Sequence, residues 1–358
     1  MYKARVYGLI CALATAGILL ASYTLKNDIV LNDYPLQIIP QGFYISSVVD
    51  DRAERGAIAA LALGSNGKPE IQEADLQGGT AVAISGFISR NLKKDTSERA
   101  VNISIKDFKL TETILPNGGV DGRIQIGLSF GLPKEYGMQQ LIAYRGGLHY
   151  TRVPGKNEVI EAHLRSVIKS GLVYFNNWMQ ANVDRDPKLA KAVSFKFTDY
   201  SDSTESDTIY YSAARPLKWN DFQSKTRPPG PFEAVIMPNF GYNLNREVKN
   251  GIINVEVEMK TYVAKSDSWA GNARDSYGLN HEQRHFDIAR FITKQYQKKI
   301  LAAGLTPDTY DAFINMQYLD SYRDMNALQK AYDKETRHGI NEDAQSAWDK
   351  KIEAMLKE

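Results

Sequence analysis

Apolar positions recur at two different periods along this chain, and the change of period marks its elements. After Gly78-Gly79, the residues Ala81, Ala83, Ile84, Phe87, Ile88 and Leu92 keep helical spacing. Strict alternation then takes over in Val101-Asn102-Ile103-Ser104-Ile105, and Asn117-Gly118-Gly119 signals a turn before a second strand, Arg123 to Phe130. A third strand is predicted around Leu141 to Tyr144 and His149-Tyr150. From Val159 to Met179 a helical stripe returns, carrying Ile160, Leu164, Val167, Ile168, Leu172, Phe175 and Trp178. Upstream, Tyr34 to Pro40 is bounded by prolines and predicts a short edge strand.

The second half opens with Leu217 to Phe222 and a proline-rich loop at Arg227 to Pro231. Ile253 to Lys260 alternates without a fault, which predicts a strand with one buried and one wet face, open to an added substrate strand or simply kept soluble by its charges. Ala289, Ile292, Tyr296 and Ile300 then mark the core face of a helix that begins at Asn280, with Gln283 as capping-box partner, or earlier near Ser276. Gly304 stops it and Pro307 precedes the next. That next helix carries Tyr310, Phe313, Ile314, Met325 and Leu328 and ends before Gly339, and Asn341 caps a last one. The expected architecture is α+β: residues 1–22 as a signal peptide or anchor, a small α+β domain over 27–200, a polar linker at 201–209, and a second α+β domain over 210–358 that ends in long helices.

Composition narrows the class. A chain of 358 residues, 43% hydrophobic and 24% charged, is globular. Its net charge of +2 comes from Lys3 and Arg5, so nothing points to nucleic acid or an anionic surface as partner. Those two cations precede an apolar run from Val6 to Ala21 and the small pair Ala21-Ser22, the pattern of an export signal. The alternative is an uncleaved anchor, because Val6 to Leu25 is nearly long enough to span a bilayer, and it is the one membrane contact expected. Either way the protein is expected in the periplasm, the envelope or outside the cell. The only cysteine, Cys11, lies inside this run, so the remainder has no disulfide and no thiolate, and any metal there must be held by histidine and carboxylate.

The chemistry concentrates at Leu279-Asn280-His281-Glu282-Gln283-Arg284-His285-Phe286-Asp287, an H-E-x-x-H motif in a chain with five histidines. On a helix, His281 and His285 stand one turn apart on one face and can share a Zn²⁺, while Glu282 is placed to act as base on a zinc-bound water. A catalytic zinc takes three protein ligands. Ile288 and Phe291 occupy the positions where metzincins carry glycine and the third histidine, which excludes that class. The third ligand is sought in Tyr332 to Gly339, where His338, the only other histidine of the domain, is favoured and Glu335 is the alternative. Asp287 should point away from the metal, and Tyr332 or Tyr322 could stabilise an oxyanion. His149 and His163 have no ligand-spaced partner, and the first half holds no phosphate or nucleophile motif.

Leu217 to Phe222, Ser268-Trp269, Asn280 to Asp287, Tyr332 to Gly339, Gln345 and Trp348 together resemble an uncharacterised bacterial family described as predicted secreted zinc-dependent proteases, over roughly Tyr210 to Glu358. The resemblance implies a zincin-like second domain, a bound Zn²⁺ and an exported metallopeptidase acting on peptide or protein substrates. The competing expectation is a non-catalytic envelope module whose zinc is structural.

Overall fold

The computed structural model describes residues 28–64, 69–201, 206–230 and 233–357. The expected export segment lies outside the described residues, and among those described no helix is long and apolar enough to cross a membrane. The chain forms two compact units that divide between Trp178 and Met179.

The first unit contains β1 (Phe43–Asp50), β2 (Ala59–Leu63), β3 (Glu70–Ala74), α1 (Thr80–Asn91), β4 (Arg99–Ile114), β5 (Val120–Lys134), β6 (Gly137–Arg152) and most of α2 (Glu158–Asn182). Its sheet runs β3-β2-β4-β5-β6, with β1 parallel to the first half of β4. The inward residues of β4 and β5, among them Val101, Ile103, Ile124 and Phe130, are buried with Ile84 and Phe87 of α1 and Leu164, Leu172 and Phe175 of α2. Phe130 and Phe175 stack at 4.2 Å. The three strands read from alternation are present and longer than expected. Tyr34 to Pro40 forms no strand, because its two prolines cannot donate to a ladder.

The second unit holds β7 (Ala192–Asp199), β8 (Thr208–Tyr210), β9 (Ala234–Val235), β10 (Asn239–Lys249), β11 (Ile252–Ala264), β12 (Trp269–Ala270), α3 (Ser276–Ala302), α4 (Tyr310–Thr336) and α5 (Glu342–Lys357). The α+β class holds for the whole chain. β7 pairs with β11 in parallel, so it belongs here rather than to the unit before it, and the division falls ahead of the linker expected at 201–209. β11 also takes β10 along one side and β8 at its end. It is therefore an interior strand and cannot accept a substrate strand. Its inward residues Ile253, Val255, Val257 and Met259 pack on Ala289, Ile292, Tyr296 and Ile300 of α3, the face that the helical spacing marked.

Candidate metal centre

α3 begins earlier than Asn280. Asp275 is its N-cap, its carboxylate accepting from the Gly278 amide at 2.7 Å, so the histidines lie a full turn inside the helix rather than at its frayed end. Asn280 instead donates to Asp349 of α5. His281 and His285 are 6% and 8% exposed, and their rings meet edge to face at 4.9 Å.

The last turns of α4 face them. His285 Nε2 is 3.0 Å and His281 Nε2 3.5 Å from Asp333 Oδ1. Ligands about 2.0–2.1 Å from a tetrahedral zinc stand roughly 3.3 Å from one another, so these separations suit one shared ion. His281, His285 and Asp333 form the cluster whose donor atoms all lie within 4.8 Å of one another. Of the two residues expected as third ligand, neither joins it. Glu335 sits on the other side of α4 and accepts from the Trp348 indole at 2.8 Å. His338 lies at the rim, its side chain 46% exposed and its Nδ1 3.4 Å from Asp333 Oδ1. Asp333 was visible as a carboxylate in the same block. On a helix it shares a face with Gln329 and not with Glu335, but only the packing of α4 on α3 shows that this is the face that meets the histidines.

Two glutamines decide which nitrogens point at Asp333. Gln329 Nε2 donates to the His285 carbonyl at 2.9 Å, which turns its Oε1 to His285 Nδ1 at 2.5 Å. Gln345 Nε2 donates to Asp349 at 2.9 Å, which turns its Oε1 to His281 Nδ1, also at 2.9 Å. Each neutral imidazole has one proton. That proton goes to Nδ1, leaving two Nε2 lone pairs aimed at a carboxylate. A cation between them resolves the clash, so the donor set could hold a metal ion and its neighbours hold the tautomer that such an ion needs. Tyr332, fully buried, stacks on His281 at 4.8 Å and bonds Gln345, so it supports the centre from behind rather than facing a substrate.

Electrostatics follow the same layout. Without an ion, burial would push the Asp333 carboxyl up, but His281 and His285, once protonated at Nε2 as well, donate to it and hold it well below the usual range. Burial would push His285 down, and Asp333 and Glu282 raise it instead. Glu282 is 4% exposed; desolvation pushes its carboxyl up, opposed by the two histidines and by a hydrogen bond from the Ile236 amide. Asp287 points away, as expected, and is held by Tyr211, Gln283 and Arg284.

His281, Glu282, His285 and Asp333 line a cleft of about 1030 Å³, walled by residues that include Trp219, Val235, Met237, Tyr277 and Tyr322. Residues 265–339 match the model of a bacterial family of unknown function, DUF922. That stretch runs from the end of β11 through α3 and α4, so it carries His281, Glu282, His285 and Asp333 together. No curated protein matches the chain. Among solved structures, the chain is similar to a Xanthomonas campestris protein of the family DUF330, at 7% identity over 44% of this chain and 96% of that one, with a TM-score of 0.27.

Proposed function

We propose that the second unit is a zinc-dependent metallopeptidase and that the protein works after export. The observation that carries this reading is the pairing of a three-donor cluster, its tautomers set by Gln329 and Gln345, with a buried carboxylate at the wall of a peptide-sized cleft. His281, His285 and Asp333 would hold the ion. When bound, zinc lowers the pKa of a water and polarises a carbonyl.

Glu282 then does the proton work. Its burial raises its affinity for a proton, which suits a group that takes a proton from water and hands it to the leaving nitrogen. The Ile236 amide orients it across the cleft wall. Of the two tyrosines, Tyr322 lines the cleft and would be the one to donate to a developing oxyanion, since Tyr332 is fully buried behind His281. A closed structural zinc takes four protein ligands, whereas this cluster offers three that line the cleft. That difference favours catalysis over the structural-module alternative.

The test compares Glu282→Gln with the parent for zinc content and for digestion of an unbiased peptide library. The variant should keep its zinc and lose about 10²–10⁴-fold in cleavage, the usual worth of a general base. Equal cleavage by both proteins would remove Glu282 from the chemistry and with it the peptidase reading.

A further inference from the structure

Two large apolar side chains stand exposed in the cleft that holds the metal centre. Met237 is 65% and Ile340 79% exposed, and both line the cleft. Their neighbours fix where they stand. Ile236, whose amide bonds Glu282, is itself 7% exposed and packs with Phe222, Val263 and Phe286. Met237 therefore projects into the cleft beside the base. Gly339, in turn, lies flat against His281: a Cβ at this position would stand 3.4 Å from the ring. The Gly339 carbonyl is held by the Tyr277 hydroxyl at 2.6 Å, and Ile340 follows directly.

Exposed apolar side chains collected in a concave site mark surface that a ligand covers. Here they lie one residue from the group that contacts the base and one residue from the group that contacts a metal-ligating histidine. We propose that Met237 and Ile340 are specificity determinants that receive bulky apolar side chains on the two sides of the scissile bond. The inference rests on the peptidase reading for the position of that bond. The substrate class is thus an extended peptide with large aliphatic or aromatic residues flanking the cut.

The experiment uses the zinc-loaded protein, Met237→Asp and Ile340→Asp, with Met237→Leu and Ile340→Leu as conservative partners. Cleavage-site profiles are read from the peptide library. In parallel, a fluorescent apolar hexapeptide is titrated onto the same variants in the Glu282→Gln background. The parent should cut between large apolar residues. Each aspartate variant should lose roughly 10- to 200-fold in kcat/KM for such sites, each at one side of the cut, and weaken hexapeptide binding by a similar factor, with zinc content unchanged. The leucine variants should retain the parent profile. A parent that cleaves without apolar preference, or aspartate variants that keep its profile and affinity, overturns the proposal while leaving the peptidase intact. A parent that cleaves nothing refutes the peptidase reading, and the binding measurement then decides alone whether the cleft prefers apolar chains.

Discussion

Replacing Gln329 by leucine tests the metal centre without touching a ligand. Gln329 makes two hydrogen bonds to His285, accepting from Nδ1 at 2.5 Å and donating to the carbonyl at 2.9 Å. The carbonyl keeps its place in the α3 ladder when the side chain is lost. The ring does not: Nδ1–H is left facing leucine, and a buried donor without a partner costs about 1–3 kcal/mol. The apo protein escapes that cost by moving the proton to Nε2, where Asp333 accepts it at 3.0 Å. Metal binding must then expel it. The expected penalty is about 10- to 100-fold in zinc affinity, or roughly 1.4–2.7 kcal/mol. Competition against a chromophoric chelator at neutral pH measures it, with thermal unfolding of the apo forms as control. Gln329→Glu keeps an acceptor for Nδ1 and should bind zinc more tightly than the leucine variant. An affinity for Gln329→Leu within about twofold of the parent would refute the argument, because Asp333 alone would then be setting the tautomer.

Two further outcomes follow from the same geometry. Asp333→Ala should no longer retain stoichiometric zinc after dialysis, whereas Glu335→Ala, which loses only its bond to Trp348, should retain it; elemental analysis showing the reverse would return the third-ligand role to Glu335. Burial would raise the Asp221 carboxyl, but a two-pronged bond from Arg215 and the Lys218 amide together lower it. A lowered folded pKa contributes stability that is present above the ordinary carboxylate pKa of 3.8 and lost as pH falls through the folded value. The stability gap between parent and Asp221→Asn should therefore be widest near neutrality and close in acid, as read by urea unfolding; a gap that widens on acidification would contradict the assignment.

Much of this arrangement was legible in the sequence, and the parts that were not have physical reasons. The H-E-x-x-H turn, the core face of α3 and the Asn341 cap of α5, whose side chain accepts from the Ala344 amide, depend on local spacing, which one sequence displays directly. The third donor depends on how α4 rotates against α3, and that is set by tertiary packing. Choosing by ligand preference favoured His338, yet the chain turns at Arg337, His338 and Gly339 with three successive left-handed residues, which carries His338 out to the rim. β10 escaped although its signal was present. Asn250-Gly251, both at positive φ, is the two-residue turn that favours a hairpin, but Arg246 breaks the alternation of Phe240, Tyr242 and Leu244 before Val248 resumes it. A boundary at residue 200 puts β7 in the first half, because its partner lies about sixty residues downstream and periodicity holds no record of pairing distance.

The neighbours of β11 also order the assembly of this unit in time. β10 reaches it through a two-residue turn, a contact that closes on the microsecond scale. β7 must be brought in across more than fifty intervening residues, and its closure entropy is spent before any contact is made. Between β8 and β10 the chain leaves one side of β11 and returns on the other, and that excursion carries Trp219, Val235 and Met237 of the cleft wall. The wall can take shape only after both of its ends are anchored. Folding should thus start at the Asn250-Gly251 hairpin and finish at the mouth of the cleft. Substitutions at the hairpin would slow folding, while those in the wall would register almost wholly in the rate of unfolding.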